Sequence, residues 1–151
     1  MAGSQHFTVE ELTHSNWAVE HNVPNPCPVA LLPNLTRSAQ LMEQVRALYK
    51  LPISVISCYR NPRVNRGVGG SPTSAHMQAL AVDFRCNAFG SYYMQALAIA
   101  ASKDIVFDQL ILEPSWVHIG LAEAGKKPRG QVLTKFSGDP KYYPGLHIKK
   151  P

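Results

Sequence analysis

The spacing of apolar side chains divides the chain into helical and strand-like stretches. Thr8-Val9-Glu10-Glu11 has the Thr-x-x-Glu layout of a capping box, with Leu12 opening the apolar side. It predicts a short helix over about 8–13, extending irregularly toward Trp17. Pro24, Pro26 and Pro28 remove donors and fix the backbone, so that stretch cannot be helix. Leu35, Ala39, Met42, Val45, Leu48 and Tyr49 then recur at helical spacing and predict an amphipathic helix over about 34–50. Pro52 ends it, and Ile53, Val55 and Ile56 predict a strand to about Cys58. Arg60 to Thr73, rich in Gly, Pro, Arg, Asn and Ser, reads as a long loop, uncommon unless functional. Ser91 to Ser102 predicts a helix with Tyr92, Leu97 and Ala100 among its buried residues. Phe107 to Leu112 and Trp116 to Leu121 predict two strands joined by the tight turn Glu113-Pro114-Ser115. Beyond them, Gly125, Pro128, Gly130, Gly138, Pro140, Pro144 and Gly145 predict an irregular C-terminal segment.

Within this pattern His76 precedes Asp83 by seven residues, and His118 lies on a second apolar run. Ligands on adjacent turns of one helix sit three or four apart, so this spacing fits a short turn carrying His76 followed by a strand carrying Asp83. In that strand Leu80, Val82 and Phe84 point one way, and Ala81, Asp83 and Arg85 the other. In the second run Trp116 and His118 share a face opposite Val117, Ile119 and Leu121. Two imidazole nitrogens and one carboxylate oxygen suit zinc with a fourth position open to water. His6, His14, His21 and His147 lack such a setting and are expected on the surface.

Composition narrows the class. With 151 residues, 45% hydrophobic and 17% charged, the chain is read as one globular domain over 1–151, its core at about 7–121. No apolar run reaches the length of a bilayer span. The start, Met1-Ala2-Gly3-Ser4-Gln5-His6, lacks the basic-then-apolar layout of a secretory signal, which predicts synthesis as a cytosolic protein. Cys27, Cys58 and Cys86 are odd in number and widely spaced, arguing against a disulfide framework and for buried thiols at Cys58 and Cys86. The net charge of +5 is uneven: residues 125–151 hold seven of the 15 basic side chains against Asp139 alone. Such a segment invites electrostatic contact with an anionic cell envelope. Nucleic-acid binding is not expected, because no groove-reading motif accompanies the charge.

The pattern Ser-x-His-x-x-Gly-x-Ala-x-Asp, followed by Trp-Val-His, marks zinc peptidases that cut the peptide stems of the bacterial cell wall. This sequence resembles them at Ser74, His76, Ala81, Asp83 and His118, and departs at Ala79, where Gly is usual. That departure concerns backbone room beside the site and leaves the ligands unaffected. Further matches are Phe7-Thr8 with Glu11-Leu12, Ser57-Cys58-Tyr59-Arg60, Val68-Gly69-Gly70-Ser71 and Phe107-Asp108-Gln109-Leu110-Ile111, so the resemblance runs from about 7 to 121. The family includes D-Ala-D-Ala carboxypeptidases and L-alanyl-D-glutamate endopeptidases, many of them phage endolysins.

The resemblance implies Zn2+ held by His76, Asp83 and His118, and peptidoglycan stem peptides as substrate. It implies that Arg60 stabilises the oxyanion or holds a substrate carboxylate, and that Ser74 orients the site by hydrogen bonding. Relatives often carry their general base two or three residues before the last ligand. Those positions here are Trp116 and Ser115, which cannot serve. Glu113 is therefore the candidate base, with Asp108 as runner-up. The expected fold is α+β, a small and mostly antiparallel sheet with helices packed against it and the zinc site in a cleft over the sheet. The expected function is that of a monomeric phage endolysin, held in the host cytoplasm until the membrane opens and then acting on the wall in the periplasm. A D-Ala-D-Ala carboxypeptidase of wall remodelling and a non-catalytic zinc-containing binding module are the alternatives. The missing acid at the usual spacing favours the last.

Overall fold

A computed structural model describes residues 2–151. The fold is α+β: five α-helices and a six-stranded, mostly antiparallel sheet of order β1-β2-β4-β3-β5-β6. The helices are α1 (Val9–Thr13), α2 (Asn16–Glu20), α3 (Leu32–Tyr49), α4 (Pro62–Gly67) and α5 (Tyr92–Ala101). The strands are β1 (Ser54–Ser57), β2 (Ala81–Arg85), β3 (Gln109–Leu112), β4 (Val117–Gly120), β5 (Gln131–Lys135) and β6 (Tyr142–Pro144). By internal contacts the chain forms two compact units, Met1–Glu43 with Val55–Val82 and Gln44–Ser54 with Asp83–Pro151.

In the first unit the Thr8 hydroxyl accepts from Glu11 N–H and caps α1, as the capping box predicts. The helix stops before Trp17 because Ser15 caps a separate α2. Helix α3 begins two residues earlier than expected, and Leu35, Ala39 and Met42 of its stripe are fully buried here with Phe7 and Leu12. The proline-rich stretch has few donors of its own, and Asn25 replaces them. Its amide donates to the carbonyls of Thr13 and Tyr59, and its oxygen accepts from Asn61 N–H.

The expected loop over Arg60–Thr73 is corrected, because it contains α4. Asn61 caps that helix by accepting from Val64 N–H, and Pro62 occupies its first turn, where a missing N–H costs nothing. The Asn-Pro pair is a helix start here as much as a turn signal. At the end of α4, any Cβ on Gly67 would overlap the Trp17 ring, so that position requires glycine.

In the second unit β3 and β4 form a hairpin in which Ile111 faces His118 and Leu112 faces Val117. Glu113 N–H donates to the Trp116 carbonyl and closes the predicted turn. The buried face of α5 is Gln95, Ala96 and Ile99, not Tyr92, Leu97 and Ala100; Leu97 is exposed. Gln95 is what shifts the face. Its side chain accepts from Cys86 N–H and donates to the Gly90 carbonyl, so a polar residue is held inward.

The segment 122–151, expected to be irregular, supplies β5 and β6. Gly130 and Gly138 adopt positive φ at its turns, conformations that L side chains rarely take. Arg129 grips Asp108 with its backbone N–H and guanidinium, the closest contact being 2.8 Å. Immediately beyond that clamp, β5 pairs parallel with β3, Gln131 beside Gln109. Asp139 organises the return to β6 by accepting from Lys141 N–H and the Tyr143 hydroxyl and pairing with Lys150 at 2.8 Å. These contacts leave no periodic trace in the sequence.

Candidate metal centre

His76 sits in a 3-10 turn, Ala75–Gln78, capped by Ser74, whose hydroxyl accepts from His76 N–H at 3.2 Å. Arg60 donates its backbone N–H to the His76 carbonyl and its guanidinium to the Ser74 hydroxyl at 3.3 Å. The imidazole is buried, 2% exposed, with Nδ1 2.7 Å from the Cys58 carbonyl. A carbonyl only accepts, so Nδ1 carries the proton and Nε2 carries the lone pair that a metal would use.

The turn ends at Ala79, buried with φ 57° and ψ 31°, the left-handed region. This explains why glycine is usual at that position, and why the departure concerns the backbone rather than the ligands. Two α3 side chains one helical turn apart fix the same end: Asn34 donates to the Gln78 carbonyl and Ser38 to that of Ala79. Neither residue was singled out from the sequence. Their signal is a polar pair at i, i+4 beside the apolar stripe of α3.

Asp83 lies in β2, 7% exposed, and His118 lies in β4 with Nδ1 2.8 Å from Asp83 Oδ1. His76, Asp83 and His118 each offer one ligand atom, and these atoms all lie within 4.8 Å of one another. Tetrahedral zinc with bonds of ~2.0–2.2 Å needs ligand atoms about 3.4 Å apart, a spacing inside that bound. The donor chemistry and the tautomer of His76 both fit such an ion.

The other candidates divide by the parity of the hairpin. Cross-strand partners share a face, so Ile111 and His118 point the same way, and Glu113, two residues beyond Ile111, points with them. Burial pushes the Glu113 carboxyl above the usual glutamate range; His118 and Lys135 oppose that rise and Asp83 adds to it. The charges of His118 and Asp83 thus both act on the Glu113 carboxyl.

Asp108 does not share this setting. It sits before β3, three residues from Ile111 and so roughly 10 Å along the strand from the level of His118. Its carboxylate is held by Arg129, which lowers its pKa.

A cleft of about 660 Å³ lies against α5 and is lined by Tyr92, Met94, Leu112, Thr134, Phe136 and Ile148; Glu113 and Lys135 also line it, but His76, Asp83 and His118 do not. His6, His14 and His21 are exposed as expected, whereas His147 is half-buried and its backbone N–H donates to Thr134. Cys58 and Cys86 are buried thiols, and Cys27 is half-buried.

A family model described as Peptidase M15 matches residues 5–120. No curated protein matches the chain.

Proposed function

Since the chain belongs to the Peptidase M15 family, whose members are zinc-dependent metallopeptidases acting on peptidoglycan, we propose that it cleaves stem peptides as a phage endolysin of the endopeptidase type. The observation that carries this reading is the grouping of His76, Asp83 and His118, with Glu113 on the face of the sheet that His118 occupies. His76, Asp83 and His118 would hold the ion. Zinc held there would supply Lewis-acid polarisation of a carbonyl and would lower the pKa of a bound water toward about 7.

The remaining work falls to the chain's own side chains. Glu113 takes a proton from the attacking water and returns it to the departing amine nitrogen, a role its raised pKa suits. Arg60 presents a planar guanidinium to the oxyanion or to a substrate carboxylate. Ser74 holds both the Arg60 guanidinium and the His76 backbone, so it positions rather than attacks. The whole chain acts as one peptidase domain and as a monomer. Its target lies in the periplasm, reached from the host cytoplasm once the membrane is open. Exposed cations of the C-terminal segment, Lys127 and Lys149 among them, draw it to the anionic envelope.

Turbidity of outer-membrane-permeabilised cells tests this reading: clearing that stops with chelator supports lysis by a metal-dependent enzyme. Mass spectrometry of fragments from purified sacculi then names the bond. Release of terminal D-Ala alone would make the enzyme a carboxypeptidase. Metal binding without any cleavage would make it a binding module.

A further inference from the structure

The strands β5 and β6 lie beyond residues 5–120, yet they reach the face of the sheet on which His118 stands. Leu112 pairs with Thr134, so the next level brings Glu113 beside Lys135, and Lys135 pairs with Tyr142 of β6. With Glu113 just past the end of β3, Glu113, Lys135 and Tyr142 thus continue this register as one row. Core-facing Leu112 and Thr134 belong to the opposite face. Neighbouring strands lie about 4.8 Å apart, which puts Lys135 roughly 5 Å and Tyr142 roughly 10 Å from Glu113 along the row.

The two outer residues are built for contact with a ligand. Lys135 Nζ donates to the Asp139 carbonyl at 2.6 Å and lies 5.7 Å from the centroid of the Tyr142 ring. An ammonium has three donors, so further hydrogen-bonding capacity remains beside the ring. Among the described residues no carboxylate forms an ion pair with Lys135, whereas Lys126, Arg129 and Lys150 are each paired with a carboxylate. Tyr142 is 50% exposed, a large ring left in solvent next to a cation. Both also sense the reaction centre: Lys135 draws the Glu113 carboxyl down, and Glu113 and Asp83 add to the rise that burial gives the Tyr142 hydroxyl.

We propose that Lys135 and Tyr142 form a specificity subsite that receives a free carboxylate of the stem peptide, one or two residues from the bond being cut. The ammonium binds the carboxylate, and the ring forms the wall that orients it. The distance fits. A residue spans at most about 3.6 Å, so a carboxylate one strand from Glu113 belongs to the first or second residue beside the scissile amide. Glu113 repels a second anion, and without Lys135 that repulsion would disfavour binding. All the residues assigned to chemistry lie within 5–120, and these two lie outside it, which suits a role in substrate choice.

This inference rests on the stem-peptide reading, so its test separates the two. Soluble stem peptides with the neighbouring carboxylate free or amidated are given to the zinc-loaded wild type, Lys135→Met, Lys135→Arg and Tyr142→Ala. Turnover is followed, and binding is measured by calorimetry. Lys135→Met raises KM for the free acid on the order of 10-fold, with kcat little changed and the amide unaffected. Lys135→Arg keeps the preference, and Tyr142→Ala weakens it. Thermal melting shows that each variant is folded. If wild type cleaves nothing but binds the free acid over the amide, with that preference lost in Lys135→Met, the subsite stands and the peptidase reading falls. Cleavage without any preference for the free acid, or an equal KM change on both peptides, overturns the subsite.

Discussion

Ser38 donates its hydroxyl to the Ala79 carbonyl at 2.7 Å, both residues being buried, and so ties helix α3 to the turn that carries His76. Ala79 holds φ 57°, which costs an L residue roughly 1–2 kcal/mol. Ala79→Gly relieves that cost but loses a buried methyl worth about 0.8 kcal/mol, so it should be close to neutral. Ala79→Val adds β-branching at positive φ in a filled space and should cost about 2 kcal/mol or more. Ser38→Ala leaves a buried carbonyl short of a partner and should cost about 1–3 kcal/mol. Urea midpoints measure all three. A stable Ala79→Val protein would contradict the left-handed turn.

Metal content is the most direct check on the ligands. Protein purified without added metal should carry about one zinc per chain by elemental analysis. His118→Ala should lose it, and Asp83→Asn should weaken it because a charged oxygen becomes a neutral one. Chelator should lower the melting temperature of wild type, by the equivalent of about 2.7 kcal/mol if zinc had been at 100 times its dissociation constant. Unchanged zinc in His118→Ala would remove that residue from the site.

Glu113→Gln keeps the shape and removes the basicity. Zinc content should hold while turnover falls on the order of 10²-fold or more. Burial raises the pKa of this carboxyl, so in the metal-free protein Glu113 should titrate above the ordinary glutamate range. The same shift bears on stability. A carboxyl with a raised folded pKa binds more protons when folded, so its contribution is full below the unfolded pKa and is lost as pH rises through the folded one. At neutral pH Glu113→Gln should therefore melt no lower than wild type, with the advantage shrinking toward pH 4. A variant that kept full activity would show that the base is another residue.

Asp108→Asn should behave in the opposite way, with activity retained and stability reduced by about 1 kcal/mol, because Arg129 is largely solvent-exposed. The lowered pKa of Asp108 means its contribution is present above the unfolded value and lost as pH falls through the folded one. Wild type and variant should thus differ in urea at pH 7, with the difference shrinking as pH falls through the lowered pKa of Asp108. Loss of turnover with unchanged stability would return Asp108 to the chemistry.

The basic segment is best probed without truncation, because Lys150 pairs with Asp139 and His147 N–H donates to Thr134. Replacing the exposed Lys127 and Lys149 by Gln should weaken salt-sensitive adsorption to sacculi while leaving soluble stem-peptide cleavage intact. Equal loss on both substrates would mean that those side chains support the fold.

The elements near the metal group were legible because their signals are local. A capping box, an apolar stripe, a strand alternation around Asp83 and a three-residue turn before His118 each act over a few neighbours, and each appears in the structure close to its expected place. The helix of Pro62–Gly67 was hidden because Asn and Pro serve helix starts and loops equally, and only the Asn61 cap decides between them. The inward face of α5 turned on Gln95, whose burial depends on partners at Cys86 and Gly90 that hydropathy cannot register. The last two strands were hidden for the same reason. Their pairing is set by Arg129 on Asp108 and by the contacts of Asp139, interactions between residues that periodicity treats as loop. The sequence by itself thus determined the α+β class and marked His76, Asp83 and His118 as a group that could hold a metal, since those follow from residue type and short-range spacing. Only the tertiary structure set Leu112 beside Thr134 and Lys135 beside Tyr142, because cross-strand register is a property of paired backbones and not of any one segment.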